Sequence, residues 1–507
     1  MVKEKRSLEE AQAESEVENK NQKQQKKIIA EKEEDLEPKT KKNSKTSDKS
    51  IINLQDDYKH LNISVQPLDI FCWGTGSMCE LGLGPLAKNK EVKRPRLNAF
   101  LSSDKAKIIS IAVGGMHTLA LDQDNNVWSW GCNDVGALGR DTSSANENLK
   151  DMDADSSDDE DGDLNESEST PMKIPRECFP ELDCGEGIKI VQLIATDNLS
   201  CALLSNGEVY SWGTFRCNEG ILGFYKDEIQ IQRKPWKLPT FSTNNYKIVQ
   251  MASGKDHVLF LDESGIVYSW GNGQQNQLGR KVMEEFRLKT LDPRPFGLKN
   301  IKYIGSGENH SFALKQDGSL VSWGLNQFGQ CGTSEKIEDG ALVTIPEVVK
   351  LPKDFKIKVV SGGEHHTLFL GENGDLYVAG RLDMFEIGIS KDNLPEYTYQ
   401  DEHKKPRSVP LPTRLENVPK FRNVCAGSHH SLAIATNGIA YSWGFGETYA
   451  VGLGPSGDDI ETPTRIKNTA TLDHNIIMVG AGGQFSVSGG VKLSDEEADK
   501  RADDMND

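Results

Sequence analysis

The sequence lacks several features that would assign it to a membrane or secreted class. It contains no run of 18 or more apolar residues, which excludes an ordinary membrane-spanning helix. The N-terminal residues lead into Glu and Gln instead of an apolar stretch, so we predict no secretory signal. The nine cysteines include no Cys-x-x-Cys pair. This usage predicts a reduced, intracellular protein with mostly buried thiols.

Motifs for covalent or metal chemistry are also missing. The chain has no Gly-x-x-x-x-Gly-Lys-Ser/Thr phosphate loop, no His-Glu-x-x-His and no nucleophile elbow. His365-His366 and His429-His430 resemble metal ligands, but consecutive strand residues point to opposite faces, so neither pair easily closes on one ion. We therefore predict no metal, no cofactor and no covalent catalysis. A net charge of −18 argues against wholesale nucleic-acid binding, although a local basic patch is compatible with it.

The chain does contain a repeat with a period near 55 residues. In five units a His stands thirteen residues before a Trp-Gly or Ala-Gly pair, and in a sixth unit Leu199 replaces the His before Trp212. Phe485 near the end and Trp73-Gly74 near the start each supply half of a seventh unit. The five His units are His117/Trp130, His257/Trp270, His310/Trp323, His366/Ala379 and His430/Trp443.

Each unit predicts consecutive antiparallel strands, because Asn-Gly, Asp-Gly or Ser-Gly turns lie between the two landmarks in most units and close tight hairpins. Strands in groups of four favour radially arranged blades over a linear stack. A unit divided between both ends of the chain is what a closed ring needs, because it pairs the terminal strands and protects the edges. We therefore predict an all-β fold, a seven-bladed β-propeller over residues 65–492, closed by strands from both termini.

Three segments differ in composition from the repeats. Residues 1–60 mix basic and acidic residues with almost no aromatics, which predicts a disordered arm carrying a basic cluster at Lys39–Lys45. An acidic insertion at 150–170 lengthens the spacing between two successive Trp landmarks, and we predict a disordered, solvated loop there. Residues 493–507 form a further acidic tail, which we expect to fray.

Two departures from the repeat point to function. The Gly that follows each Trp position by nine residues arrives eleven residues after Trp212, so two residues are inserted within 214–223. A short hairpin protruding from a rigid scaffold can push into a partner, although a tolerated insertion is the plainer interpretation. The residue before each first landmark also varies chemically, and repeat symmetry places these seven on one rim of the channel as a docking face for a charged partner. They are Met116, Asn198, Asp256, Asn309, His365, His429 and Gln484, with Asp197 adding a second carboxylate.

Five motifs in the repeat region carry a resemblance to a known family. The chain resembles the regulator of chromosome condensation family, and within it the fungal type of nuclear guanine nucleotide exchange factor for the GTPase Ran. The resemblance covers about residues 65–492. The motifs are Gly114-Gly-Met-His-Thr118, Gly131-Cys-Asn-Asp-Val-Gly-Ala-Leu-Gly-Arg-Asp141, Phe215-Arg-Cys-Asn-Glu-Gly220, Gly254-Lys-Asp-His257 and Gly362-Gly-Glu-His-His366.

The resemblance implies a function and a set of site residues. It implies that residues 214–223 form a β-wedge against the GTPase phosphate-binding loop, and that Asp256 is needed for exchange. The GTPase-binding residues it implies are Asp197, Phe215, Arg216, Asn218, Glu219 and His365. Two positions depart from the family pattern, Ser77 and Phe485, and we leave both out of the site.

The resemblance further implies a nuclear, chromatin-associated protein that supports nucleocytoplasmic transport. Its expected partners are Ran and the nucleosome or its histones, with DNA contacts from Lys39, Lys41, Lys42 and Lys45 of the arm. The alternative is a non-catalytic propeller that only scaffolds chromatin. A light-sensing member of the same superfamily is a weaker alternative, because six of the eight tryptophans are repeat landmarks.

Overall fold

The computed structural model describes residues 63–143, 162–185, 187–334, 337 and 341–506. The predicted arm, its basic cluster and most of the acidic insertion lie outside these residues. Within them, seven antiparallel sheets form the blades of a β-propeller, as the repeat predicts. We number the blades 1 to 7 by the chain order of their inner strands. No helix in the described ranges is long and apolar enough to cross a membrane.

From the inner to the outer strand, blade 1 consists of Ile108–Val113, His117–Asp122, Val127–Gly131 and Met172–Lys173. Blade 2 consists of Ile190–Ala195, Leu199–Leu204, Val209–Gly213 and Gln232–Lys237. Blade 3 consists of Ile248–Ser253, His257–Asp262, Val267–Gly271 and Arg294–Pro295. Blade 4 consists of Ile301–Ser306, His310–Lys315, Leu320–Leu325 and Leu342–Val348. Blade 5 consists of Ile357–Gly362, His366–Gly371, Leu376–Arg381 and Pro406–Arg414, with Tyr399–Gln400 as a fifth strand. Blade 6 consists of Phe421–Ala426, His430–Ala435, Ala440–Gly444 and Ile460–Arg465.

Blade 7 closes the ring with strands from both ends of the chain. Its inner strands His474–Ala481 and Phe485–Lys492 come from the C-terminal part, and its outer strands Asp69–Thr75 and Glu91–Leu97 come from the N-terminal part. Gly74 pairs with Phe485 across the junction. The seventh repeat is therefore divided between the termini, as predicted.

Helical segments are short. The α-helices are Glu166–Ser169, Pro239–Asn244 and Asp495–Asn506, and the 3-10 turns are Ala87–Asn89, Arg176–Cys178, Pro180–Asp183, Glu284–Leu291 and Lys391–Asn393.

Two segments predicted to be loose contain short helices within the described residues. At the end of the predicted insertion, Asn165 caps the helix Glu166–Ser169, and Arg140 donates to the carbonyl of Ser167 at 2.7 Å. In the tail, the helix Asp495–Asn506 is joined to blade 6, because Arg501 donates to the carbonyl of Asn437 at 2.6 Å. Neither segment showed the apolar periodicity from which order is predicted, and both are held instead by arginine–carbonyl bonds.

Buried histidines link neighbouring blades. The Nε2 atom of His257 lies 2.8 Å from the Oγ of Ser311 in blade 4, and the same contact joins four other pairs of blades. Burial lowers the pKa of His257 to about 3, so the ring is neutral at physiological pH. These histidines are structural, because each of their hydrogen bonds joins one blade to the next. The other four pairs are His117–Ser200, His310–Thr367, His366–Ser431 and His430–Ser486.

Candidate functional site

One face of the disc carries all the turns between the first and second strands of the blades. The carbonyl of the residue before each second strand accepts a hydrogen bond from the backbone N–H that follows the Trp-Gly or Ala-Gly pair. Because this bond recurs in all seven blades, the predicted rim positions are structurally equivalent. We call this side the wedge face, since the inserted hairpin projects from it.

The insertion in blade 2 forms a two-stranded hairpin, which we call the wedge. Its strands are Phe215–Cys217 and Gly220–Gly223, and Arg216 pairs with Ile221. Gly220 and Gly223 have φ angles of 118° and 132°, a region that favours glycine and permits the tight hairpin. Arg216, Asn218 and Glu219 are exposed, and the side chain of Ile221 is 46% exposed. The wedge therefore offers a polar tip with one apolar side chain to a partner.

Phe215 was expected to contact the GTPase, but the structure places it inside the protein. Its side chain is fully buried and packs edge-to-face on Trp270 of blade 3, with 4.7 Å between ring centroids. Phe224, after the second strand of the wedge, packs on the same indole at 5.4 Å. Alternation along a strand places successive side chains on opposite faces, so Phe215 points inward while Arg216 points outward. Phe215 is the anchor of the wedge.

The wedge replaces the polar links that join other neighbouring blades. Leu199 occupies the His position of blade 2, and Val258 of blade 3 stands where other blades place Ser or Thr. The Nε1 of Trp270 has no acceptor among the described residues, whereas five other repeat tryptophans donate to a carbonyl of the preceding blade. Aromatic packing of Phe215 and Phe224 on Trp270 therefore stands where the neighbouring interfaces have the His–Ser/Thr and indole–carbonyl hydrogen bonds.

Asp256 of blade 3 contacts the wedge directly. Its Oδ1 accepts a hydrogen bond of 2.8 Å from the backbone N–H of Arg216. Burial raises the pKa of Asp256 to about 6, partly offset by this bond and by the charge of Lys255. The structure therefore brings together two residues that the sequence assigned to one site from different blades.

In four neighbouring turns, those of blades 2 to 5, the residue one position earlier is charged, and we call these residues the charged ring at the mouth of the channel. They are Asp197, Lys255, Glu308 and Glu364. The Nζ of Lys255 lies 3.9 Å from Asp197 Oδ2 and 3.7 Å from Glu308 Oε2. Burial, together with the charge of Glu308, raises the pKa of Asp197. Backbone bonds tie the ring, since Asp197 N–H donates to Lys255 O, and Lys255 N–H donates to Glu308 O. Sequence reasoning selected Asp197 but missed Lys255 and Glu308, although the same repeat alignment, read one residue earlier, finds them.

His365 is at the rim but largely covered. It is 9% exposed and stacks edge-to-face on Phe328. Its Nε2 lies 2.6 Å from the side-chain amide of Gln327. Its Nδ1 faces Glu364 Oε2 at 3.3 Å, and the contact with His365 lowers the pKa of Glu364 to about 2. Glu364 also lies 3.4 Å from His429 and extends the charged ring into blade 6.

Two wedge residues and four lysines of the arm complete the set of predicted site residues. Asn218 and Glu219 lie at the tip of the wedge, where both also contact Gln274 of blade 3. The predicted DNA-binding residues Lys39, Lys41, Lys42 and Lys45 lie outside the described residues.

Comparison with known proteins places this geometry in a family. The model of the RCC1-like domain matches residues 69–488. The chain is 76% identical over 468 residues to guanine nucleotide exchange factor SRM1 of Saccharomyces cerevisiae, with 92% of this chain and 96% of that protein covered. It is 53% identical over 456 residues to protein RCC1 of Candida albicans, with 87% and 95% covered. The crystal structure of Prp20p from S. cerevisiae, described with its binding properties to Gsp1p and histones, is 73% identical. It superposes with a TM-score of 0.83, covering 90% of this chain and 98% of that one.

Proposed function

The chain belongs to the RCC1-like domain family, and we propose that it is a guanine nucleotide exchange factor for a small GTPase of the Ran class. The observation that carries the proposal is the anchored wedge, which stands on the same face as the charged ring and is bonded to a rim carboxylate, Asp256. The names of its relatives support the same activity. The proposed activity is acceleration of GDP release without a covalent step.

The mechanism we infer is competition for the phosphate-binding loop of the GTPase. Such a loop holds nucleotide through backbone donors, a lysine and Mg²⁺. A rigid wedge that fits the emptied loop displaces those donors, and a nearby carboxylate competes with phosphate for the lysine. Asp256 is mostly ionised at neutral pH, since its pKa is about 6. It therefore supplies a negative charge while also orienting the wedge.

Thermodynamic linkage sets the size of the effect. If the exchange factor weakens nucleotide binding by some factor, nucleotide must weaken binding of the exchange factor by the same factor. Each tenfold step requires about 1.4 kcal/mol of preference for the nucleotide-free GTPase. A wedge that is already ordered before binding loses little conformational entropy in the complex, so more of its contact energy becomes preference for the emptied loop.

The roles of the exposed residues follow from their positions. We assign contact with the GTPase to the outward side chains of Arg216 and Asn218, and electrostatic attraction of a basic surface to Asp197 and Glu308. His365 positions Glu364 more than it contacts a partner, because so little of its side chain is exposed.

A second activity, chromatin binding, is supported by the description of Prp20p with histones. An anionic propeller suits basic histones, whereas the lysines of the arm suit DNA phosphates. We propose that this protein acts in the nucleus on chromatin, where exchange supports nucleocytoplasmic transport.

The test is release of labelled GDP from purified Ran with the wild-type protein, Asp256→Ala and Asp256→Asn. We expect wild type to accelerate release and Asp256→Ala to slow the stimulated rate by about tenfold or more, because a charge-assisted hydrogen bond contributes about 1.5–3 kcal/mol. Asp256→Asn retains an acceptor for the backbone N–H of Arg216 but carries no negative charge. The activity of this variant therefore shows whether exchange depends on the hydrogen bond that supports the wedge or on the charge. Unchanged stimulation by Asp256→Ala, with an intact fold, contradicts the role of Asp256.

A further inference from the structure

The tip of the wedge is fixed by blade 3, not by the blade from which it projects. The amide of Gln274, in the loop after the third strand of blade 3, contacts the tip twice. Its Oε1 accepts a 3.0 Å hydrogen bond from Asn218 N–H, and its Nε2 donates to both carboxylate oxygens of Glu219 at 3.2 and 3.1 Å. Arg287, in the 3-10 turn Glu284–Leu291, lies 3.3 Å from the same carboxylate.

The chemistry of these partners requires an amide at position 274. A backbone N–H only donates and a carboxylate only accepts, so one side chain must accept from the first and donate to the second. Gln274 satisfies both in a single amide orientation. Its own backbone is fixed, since Gln274 N–H donates to Asn272 Oδ1 at 2.9 Å. A glutamate here keeps the acceptor for Asn218 but places a second negative charge against Glu219.

We propose that Gln274 is a positioning residue for nucleotide exchange and that Glu219 is its partner. The inference rests on the proposed function. It reassigns Glu219, which the resemblance placed among the GTPase contacts, because its carboxylate is already engaged by Gln274 and Arg287. We call the contacts of Gln274 with Asn218 N–H and with the Glu219 carboxylate the clamp. Together with the bond from Arg216 N–H to Asp256, the clamp holds the hairpin through two of its backbone N–H groups.

This clamp separates holding the wedge from contacting the partner. The backbone donors of Arg216 and Asn218 are used internally, while their side chains stay exposed for the GTPase. Docking depends on the charged rim, whereas displacement of nucleotide depends on a wedge of fixed direction. Loss of the clamp should therefore lower kcat for GDP release and leave KM for the GDP-bound GTPase nearly unchanged.

The experiment uses full-length protein in five forms: wild type, Gln274→Glu, Glu219→Gln, the double variant carrying both changes, and a control variant. In the double variant the exchanged amide at 219 donates to the carboxylate at 274, which still accepts from Asn218 N–H. Gln316→Glu is the matched control, because Gln316 is exposed in a turn of blade 4 on the opposite face. Hydrogen–deuterium exchange of residues 215–223 and stimulated GDP release are measured for each form.

We expect Gln274→Glu to speed amide exchange in the wedge and to lower kcat about tenfold, as the loss of one or two hydrogen bonds implies. The double variant should recover most of both, and Gln316→Glu should match wild type. Wedge amide exchange unaltered by Gln274→Glu, or no recovery in the double variant, overturns the proposal. Failure of the wild-type protein to stimulate release would refute the proposed function, while the amide-exchange comparison would still decide whether Gln274 holds the wedge.

Discussion

Replacement of Phe215 by Ala should reveal whether this side chain anchors the wedge or contacts the partner. The ring is fully buried, edge-to-face on Trp270, and a Cβ added at Gly271 would lie 2.8 Å from it, so the site is tightly packed. Removing a buried Phe costs about 3–5 kcal/mol. With an unfolding entropy of about 2 cal/mol/K per residue, a domain of this length should lose about 4 °C in Tm.

Thermal unfolding and stimulated GDP release distinguish the two roles when Phe215→Ala is compared with Ile221→Ala. Ile221 is on the same hairpin but 46% exposed, so its truncation should leave Tm nearly unchanged and weaken only the interaction with the GTPase. Phe215→Leu keeps most of the packing and should retain both stability and activity. If Phe215→Ala loses exchange activity with no change in Tm, the anchor assignment is wrong and the residue contacts the partner.

Two further predictions concern pH and the arm. The folded-state pKa of His257 is about 3, below its unfolded value of about 6.5. The contribution of His257 to the free energy of unfolding is therefore present above pH 6.5 and is lost as the pH falls, by about 2 kcal/mol at pH 5. Urea unfolding of His257→Gln should show this part of the pH dependence removed, whereas His403→Gln, with a side chain 83% exposed, should keep it. Deleting residues 1–50 should weaken nucleosome and DNA binding, most visibly in a titration at low salt. GDP release from the free GTPase should stay near the wild-type rate. An unchanged affinity for DNA and nucleosomes would contradict the role of the arm lysines.

The fold was predictable because its signals repeat. The spacing of thirteen residues between His257 and Trp270 recurs across the ring, and in every blade the first landmark pairs with the Gly that follows the second. The division of the seventh repeat between the two ends of the chain predicted a closed ring. In the structure the ring closes where Gly74 pairs with Phe485. Because the pattern occurs in seven units, a misreading of one unit does not change the inferred fold.

The site was less predictable because side-chain direction and partners in space do not repeat. The motif around the wedge predicted its place, but not that Phe215 turns inward on Trp270. Repeat symmetry predicted the rim positions, including Asp256. It did not single out Lys255, because the sequence does not show which residue of each turn faces the channel. Gln274 carries no motif at all, and only its two contacts with the wedge identify it.

The exceptions to the repeat carry the functional information, and they cluster at one interface. Leu199 has no imidazole, Val258 has no hydroxyl, and Trp270 has no acceptor among the described residues, so the His–Ser/Thr link and the indole–carbonyl link of the repeat are both missing between blades 2 and 3. At the other interface that lacks the His, Phe485 occupies the His position, and the buried hydroxyl of Thr118 in the next blade has no partner in the described structure. Where the His is missing there, the hydroxyl of Thr118 is left unsatisfied, which is costly when buried. Between blades 2 and 3, Val258 has no hydroxyl to leave unsatisfied, although the Nε1 of Trp270 lacks an acceptor within the described ranges, and the rings of Phe215 and Phe224 pack on its indole at the base of the wedge.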